Sequence, residues 1–269
     1  MSGTEAIAEA FARARADGRS AALMPYLMGG YPSLDASCEI GLAYAAAGAD
    51  IVELGVPFSD PLADGPVIHA AATAALGAGA TLPAVLDVAR VIAERVPVVL
   101  MCYANPILVR GLARFADLLV AAGVSGLIVP DLPLEEATDA RSACRDRGVA
   151  LVPLAAPTTP PERLERIGVA ASGFLYVVSL TGTTGERAAV DGALGTLIAR
   201  TAAHTDVPVA VGFGISTPEQ AAATAAAGAD GVIVGSRLVR AAGEAEEPAQ
   251  AVGELVRGFS LALSRSALG

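Results

Sequence analysis

The chain has 269 residues, 54% of them apolar, enough for one large core and close to the size of a single α/β barrel. Its 18 Lys and Arg stand against 28 Asp and Glu, a formal charge of -10 that would repel a nucleic-acid backbone or an anionic membrane surface and that solubility alone explains. Cys38, Cys102 and Cys144 are odd in number and far apart, so they suggest neither a disulfide framework nor a C-x-x-C metal site and fit a reducing cytoplasm.

Residues 1–20 lack the basic and apolar regions of a signal peptide, and no later stretch has the roughly 18 continuous apolar residues of a membrane span. Ile7, Phe11 and Ala14 fall at helical spacing, which predicts an extra helix covering the bottom of the fold. Short apolar runs then predict eight strands. They lie at Ala22 to Leu27, around Ile51 to Gly55, Pro97 to Met101, around Gly126 to Val129, Ala150 to Leu154, Phe174 to Ser179, Pro208 to Gly212 and Gly231 to Gly235.

Helical patterns alternate with these runs. Ser33 opens one with an expected apolar face at Leu34, Cys38, Leu42 and Ala45, while Thr159 to Glu162 and Thr217 to Gln220 have capping-box spacing. The gap between the second and third strands has room for an added helical turn. The sequence A-A-A-G-A-D occurs at 45–50 and again at 225–230, each copy before a strand, and a looser copy surrounds Gly123. Gly48, Gly123 and Gly228 lie 75 and 105 residues apart, close to two and three periods of about 35. A doubly wound sheet would usually carry Gly-x-Gly-x-x-Gly after its first strand, whereas this turn reads M-G-G-Y-P-S. The expectation is one domain over 1–269, a (β/α)8 TIM barrel with an extra N-terminal helix.

The segment E-L-G-V-P-F-S-D-P-L-A-D-G-P at 53–66 sets three carboxylates at and beyond a strand end, where barrels carry their active sites. Glu53 should point inward like Ile51, and an apolar surrounding would raise its pKa toward neutrality; the alternative is a structural carboxylate satisfied by a neighbouring donor. Asp64, in a wetter loop, would stay ionised, so the two could divide acid and base work. Asp60 in Ser-Asp-Pro has a plain alternative as a turn residue. Glycine-rich turns after the last two strands, G-F-G-I-S at 212–216 and G-S-R at 235–237, favour a bound phosphate, and the loop at 181–187 would complete the cradle or close over it. His69 and His204 are unpaired, so a transition-metal site is not expected.

The 53–66 segment resembles the hallmark of the tryptophan synthase α subunit family, and P-Y-L-M-G-G-Y-P, M-C-Y-A-N-P-I, I-V-P-D-L-P and S-L-T-G-T-T-G agree in order and spacing. That resemblance implies retro-aldol cleavage of indole-3-glycerol phosphate to indole and glyceraldehyde 3-phosphate, with no metal and no cofactor in this chain. It implies Glu53 as general acid-base, Asp64 as partner of the indole N–H and Tyr176 beside them. It further implies Gly185, Gly214, Gly235 and Ser236 at the phosphate, and Tyr26, Met101, Thr184 and Phe213 around the indole. Pro57, Asp60, Tyr103 and Asn105 would face a β subunit that carries pyridoxal phosphate. A stand-alone indole-releasing lyase and a catalytically inactive regulatory subunit are the alternatives. Tyr31, Met28, Leu180 and Thr183 differ from residues frequent in the family.

Overall fold

The computed structural model describes residues 1–178, 187–212 and 214–264, with backbone alone for 187–193. Helix α1 (Gly3–Ala16) precedes β1 (Ala22–Met28), α2 (Leu34–Ala46), β2 (Val52–Gly55), α3 (Pro66–Gly77) and α4 (Leu82–Ala93). Next come β3 (Val98–Met101), α5 (Ala104–Leu108), α6 (Leu112–Ala121), β4 (Val124–Ile128), α7 (Thr138–Arg145), β5 (Ala150–Val152) and β6 (Leu154–Ala155). The chain continues through α8 (Pro161–Ala170), β7 (Leu175–Val178), α9 (Arg187–Ala202), β8 (Val209–Gly212), α10 (Pro218–Ala226), β9 (Gly231–Val234), α11 (Ser236–Glu244) and α12 (Pro248–Leu263). Among the described residues no single helix is long and apolar enough to cross a membrane.

All strand pairs are parallel, in the order β5-β4-β3-β2-β1-β9-β8-β7-β6. The two end strands, β5 and β6, follow one another in sequence across Pro153, so they form one stave that nearly closes the sheet into a (β/α)8 TIM barrel. The stave expected at Ala150 to Leu154 is split because Pro153 has no N–H for the ladder, although its carbonyl still accepts from Tyr176 N at 3.0 Å. The remaining staves fall where the apolar runs predict them; Ser179 lies outside the described residues.

Inside the barrel, Met24, Ile51, Val99, Ile128, Val152, Ala210 and Ile233 form an apolar column, and α1 closes its lower end with Ile7, Ala10, Phe11 and Ala14. Val52 and Leu54 face outward into the layer shared with the helices, so Ile51 and Glu53 point inward together.

The A-A-A-G-A-D repeat has a physical basis at this lower end. Gly48 and Gly228 take φ of 100° and 104°, conformations that glycine allows without strain. The aspartates that follow each accept from a neighbouring strand: Asp50 Oδ2 from Leu23 N at 2.8 Å and Asp230 Oδ2 from Val209 N at 2.9 Å. Arg19, beyond the end of α1, pairs with Asp50 at 2.9 Å, and Arg15, in its last turn, with Asp230 at 3.6 Å, tying the lower helix to the barrel.

Three local expectations need correction. Helix α2 begins at the Ser33 cap, whose hydroxyl accepts from Ala36 N at 3.1 Å, but its buried centre is Ser37, Ile40, Gly41 and Tyr44; of the expected face, Leu34, Cys38 and Ala45 are only partly buried against the core and Leu42 is exposed. Close approach to α4 sets this rotation, since a Cβ on Gly41 would lie 2.2 Å from Ile92 Cδ1. Thr159 does not cap α8; its hydroxyl accepts from Ala156 N at 2.9 Å, and the helix starts after Pro160 without a side-chain cap. Thr217 and Gln220 do form their capping box. Between β2 and β3 the chain holds two full helices, α3 and α4, where one added turn was expected.

Candidate active site

A cavity of about 990 Å³ opens at the carboxyl ends of the strands. Tyr26, Glu53, Asp64, Met101, Tyr176, Gly214, Gly235 and Ser236 all line it, so strands and loops spread over more than 200 residues of sequence converge on one space. Thr184, Gly185 and Phe213 lie outside the described residues, as do Leu180 and Thr183.

Glu53 occupies the deep end. It is 1% exposed, and its Oε2 has no hydrogen-bond partner among the described residues. Among the described residues no ion pair involves it. Burial pushes the carboxyl up to about 8, with the Asp64 charge adding to the shift. Glu53 is therefore protonated at neutral pH and can release its proton without a large cost.

Asp64 sits half-buried in the loop after β2. Tyr103, just beyond β3, donates from its hydroxyl to Asp64 Oδ1 at 2.9 Å and accepts from Ala63 N at 3.0 Å, so one phenol fixes both the carboxylate and its loop. Burial raises the Asp64 pKa, while the Tyr103 hydrogen bond and the charge of exposed His69 on α3 oppose that rise. Carboxylates in unlike surroundings can hold different protonation states, which acid-base chemistry requires.

Tyr103 is 3% exposed, and its ring stacks on Phe58 at a centroid distance of 5.1 Å. The sequence reading placed Tyr103 at a partner surface and missed its link to Asp64; the only sequence signal was an aromatic residue two positions past a strand end. Pro57 is likewise buried, whereas Asp60 and Asn105 are exposed. Asp131, from the loop after β4, accepts from Ala104 N at 2.8 Å and so fixes the start of α5.

On the far side of β1 from Glu53, after β9, α11 starts at Ser236 with Gly235 as its N-cap and no side-chain capping bond, which leaves backbone donors at a helix start that lines the cavity. Gly214, with φ of 78°, forms the adjoining turn after β8. Tyr26 and Tyr176 are both buried, and the Glu53 charge raises the pKa of each phenol beyond the effect of burial.

A helix start and glycine turn after the last two staves, at the mouth of the barrel, are common to many barrels that bind phosphorylated substrates. The family model described as tryptophan synthase alpha chain decides among them, because it matches residues 11–261. The chain belongs to the tryptophan synthase alpha chain family. The tryptophan synthase alpha chain of Prochlorococcus marinus is 49% identical over 236 residues, covering 87% of this chain and 86% of its own. That of Gloeobacter violaceus is 49% identical over 251 residues, covering 93% and 90%. Among solved structures, tryptophan synthase from M. tuberculosis in an open form with BRD0059 bound superposes with a TM-score of 0.88 at 37% identity, covering 96% of this chain and 98% of that one. The alpha chain from Legionella pneumophila superposes with a TM-score of 0.88 at 35% identity over 100% of both. As a tryptophan synthase alpha chain, the protein acts in tryptophan biosynthesis.

Proposed function

We propose that this alpha chain cleaves indole-3-glycerol phosphate to indole and glyceraldehyde 3-phosphate, with Glu53 as the group that moves the protons. The observation that carries the reading is the buried, protonated Glu53 facing the same cavity as Asp64 and the start of α11. In the first step the Glu53 carboxyl gives its proton to the indole ring carbon that bears the glycerol chain, which makes that carbon tetrahedral and puts positive charge on the ring nitrogen. Asp64 accepts the indole N–H and stabilises this iminium. The Glu53 carboxylate then takes the proton of the adjacent glycerol hydroxyl, the carbon–carbon bond breaks, and its electron pair returns to the ring. Indole and the aldehyde leave, and Glu53 is again protonated.

The donors at Gly235 and Ser236, with the Gly214 turn and the Gly185 loop, hold the phosphate. Tyr26, Met101, Thr184 and Phe213 surround the indole, and Tyr176 stands beside Glu53. The chain supplies this chemistry without a cofactor of its own. Its partner is a β subunit carrying pyridoxal phosphate, in a cytoplasmic α2β2 assembly. Leu62, Leu108 and Val109 are 89%, 58% and 77% exposed near Asp60 and Asn105, and the Tyr103 bonds join the two loops that carry them, which supports a protein surface there.

The test is indole release from indole-3-glycerol phosphate by the purified chain, with and without a β subunit. The reading predicts slow release alone and strong stimulation by the partner. Rapid, equal turnover in both would identify a stand-alone lyase, and no turnover in either, with folding confirmed, would remove the enzymatic reading.

A further inference from the structure

Tyr26 is seated with more constraint than a residue that merely fills space beside an indole. It pairs in register with Glu53 across β1 and β2, and both side chains enter the cavity. The Tyr26 side chain crosses the end of the neighbouring strand directly over Gly55: a Cβ there would lie 2.0 Å from the Tyr26 hydroxyl and 2.7 Å from the ring carbon that bears it. Behind the strand, Tyr44 donates from its hydroxyl to the Tyr26 carbonyl at 3.2 Å, and in front the Tyr26 hydroxyl reaches Met28 Sδ at 4.0 Å. The ring is thus fixed from the helix layer, from its own strand and from β2. It remains 5% exposed in the wall of a large cavity, with both Asp64 and Glu53 acting on its phenol.

We propose that Tyr26 is a positioning residue for the Glu53 and Asp64 pair: its ring walls off the space between the two carboxyls and keeps Glu53 dry, and Gly55 is the seat that lets the ring reach that place. This rests on the cleavage reading for its catalytic meaning, but its physical content concerns Glu53 hydration and can be measured without substrate. Asp64 faces the space from the loop after β2, with His69 of α3 and Tyr103 beyond it. Tyr26 enters from β1, with Tyr44 behind, and Tyr176 from β7. Since burial is the first cause of the high Glu53 pKa, a displaced ring admits water and lowers it.

The experiment is a carbon-13 NMR titration of chain labelled at the glutamate side-chain carboxyl, with the Glu53 signal assigned by Glu53→Gln. Tyr26→Ala and Gly55→Ala should each lower the Glu53 midpoint by about one pH unit or more, whereas Tyr26→Phe, which keeps the ring, should leave it in place. In a Tyr26→Ala background nothing crosses Gly55, so adding Gly55→Ala should produce no further shift. Circular dichroism checks that each variant is folded, and Tyr26→Leu serves in place of Tyr26→Ala if that variant is not. An unchanged midpoint in Tyr26→Ala or Tyr26→Leu would overturn the proposal, as would a Tyr26→Phe shift as large as that of Tyr26→Ala. If the native chain titrates as described but releases no indole, the cleavage reading fails while the positioning inference stands.

Discussion

Replacing Glu53 by Gln removes one ionisable proton from a fully buried carboxyl while keeping its size, so its effect on stability should depend on pH in a calculable way. A carboxyl whose pKa is higher in the folded state than in the unfolded state favours folding most below the unfolded value and loses that contribution as pH rises toward the folded one. For Glu53 the window runs from the ordinary 4.5 to about 8. At about 1.4 kcal/mol per unit, full expression of that shift gives on the order of 5 kcal/mol, and water drawn in by the ionised group reduces it to roughly 2–4 kcal/mol. Urea unfolding of the native and Glu53→Gln chains, without ligand, at pH values from 4 to 9 measures the difference. The variant should gain on the native chain steadily above pH 5 and level off near pH 9, while their difference stays flat below pH 4.5. A difference independent of pH across the whole range would refute the buried, unpaired state of Glu53.

Tyr103→Phe removes the 2.9 Å bond to Asp64 and the 3.0 Å bond from Ala63 N but keeps the ring stacked on Phe58. Loss of a hydrogen bond to a charged group, about 1.5–3 kcal/mol, should lower kcat roughly 10- to 100-fold and also lower the melting temperature while the chain stays folded; steady-state kinetics that match the native chain would show Asp64 held by other groups. Asp50→Ala leaves the Leu23 N–H without its acceptor and Arg19 with the Gly48 carbonyl but no carboxylate, and should cost about 2–4 kcal/mol in urea unfolding. Asp50→Asn should cost less, because burial already raises the Asp50 pKa against the pull of Arg19 and an amide oxygen can still accept from Leu23 N. Equal losses in the two variants would place the stabilisation in the charge pair.

The barrel was legible because its signals are local: a glycine after each of several helices, followed by a short β-branched run. Glu53 and Asp64 were legible for the same reason, since one segment carries both. What the sequence did not show depends on contacts between distant elements. The buried face of α2 is set by where Gly41 meets Ile92 of α4, and no periodicity in α2 contains that contact. Thr159 had the capping-box spacing, yet its hydroxyl was taken by Ala156 N. Tyr103 read as a surface residue because its bond to Asp64 joins positions 39 residues apart. The A-A-A-G-A-D repeat was visible as a repeat, but its purpose, an aspartate on the neighbouring strand's N–H, appears only once β1 and β2, and β8 and β9, lie side by side.

The central claim is that Glu53 moves the protons of a carbon–carbon cleavage. The most direct measurement supplies indole-3-glycerol phosphate to the native chain and to Glu53→Gln, each with a β subunit, and quantifies both products. The account predicts indole and glyceraldehyde 3-phosphate in equal amounts from the native chain and almost none from the folded variant. Substantial cleavage by Glu53→Gln would contradict it.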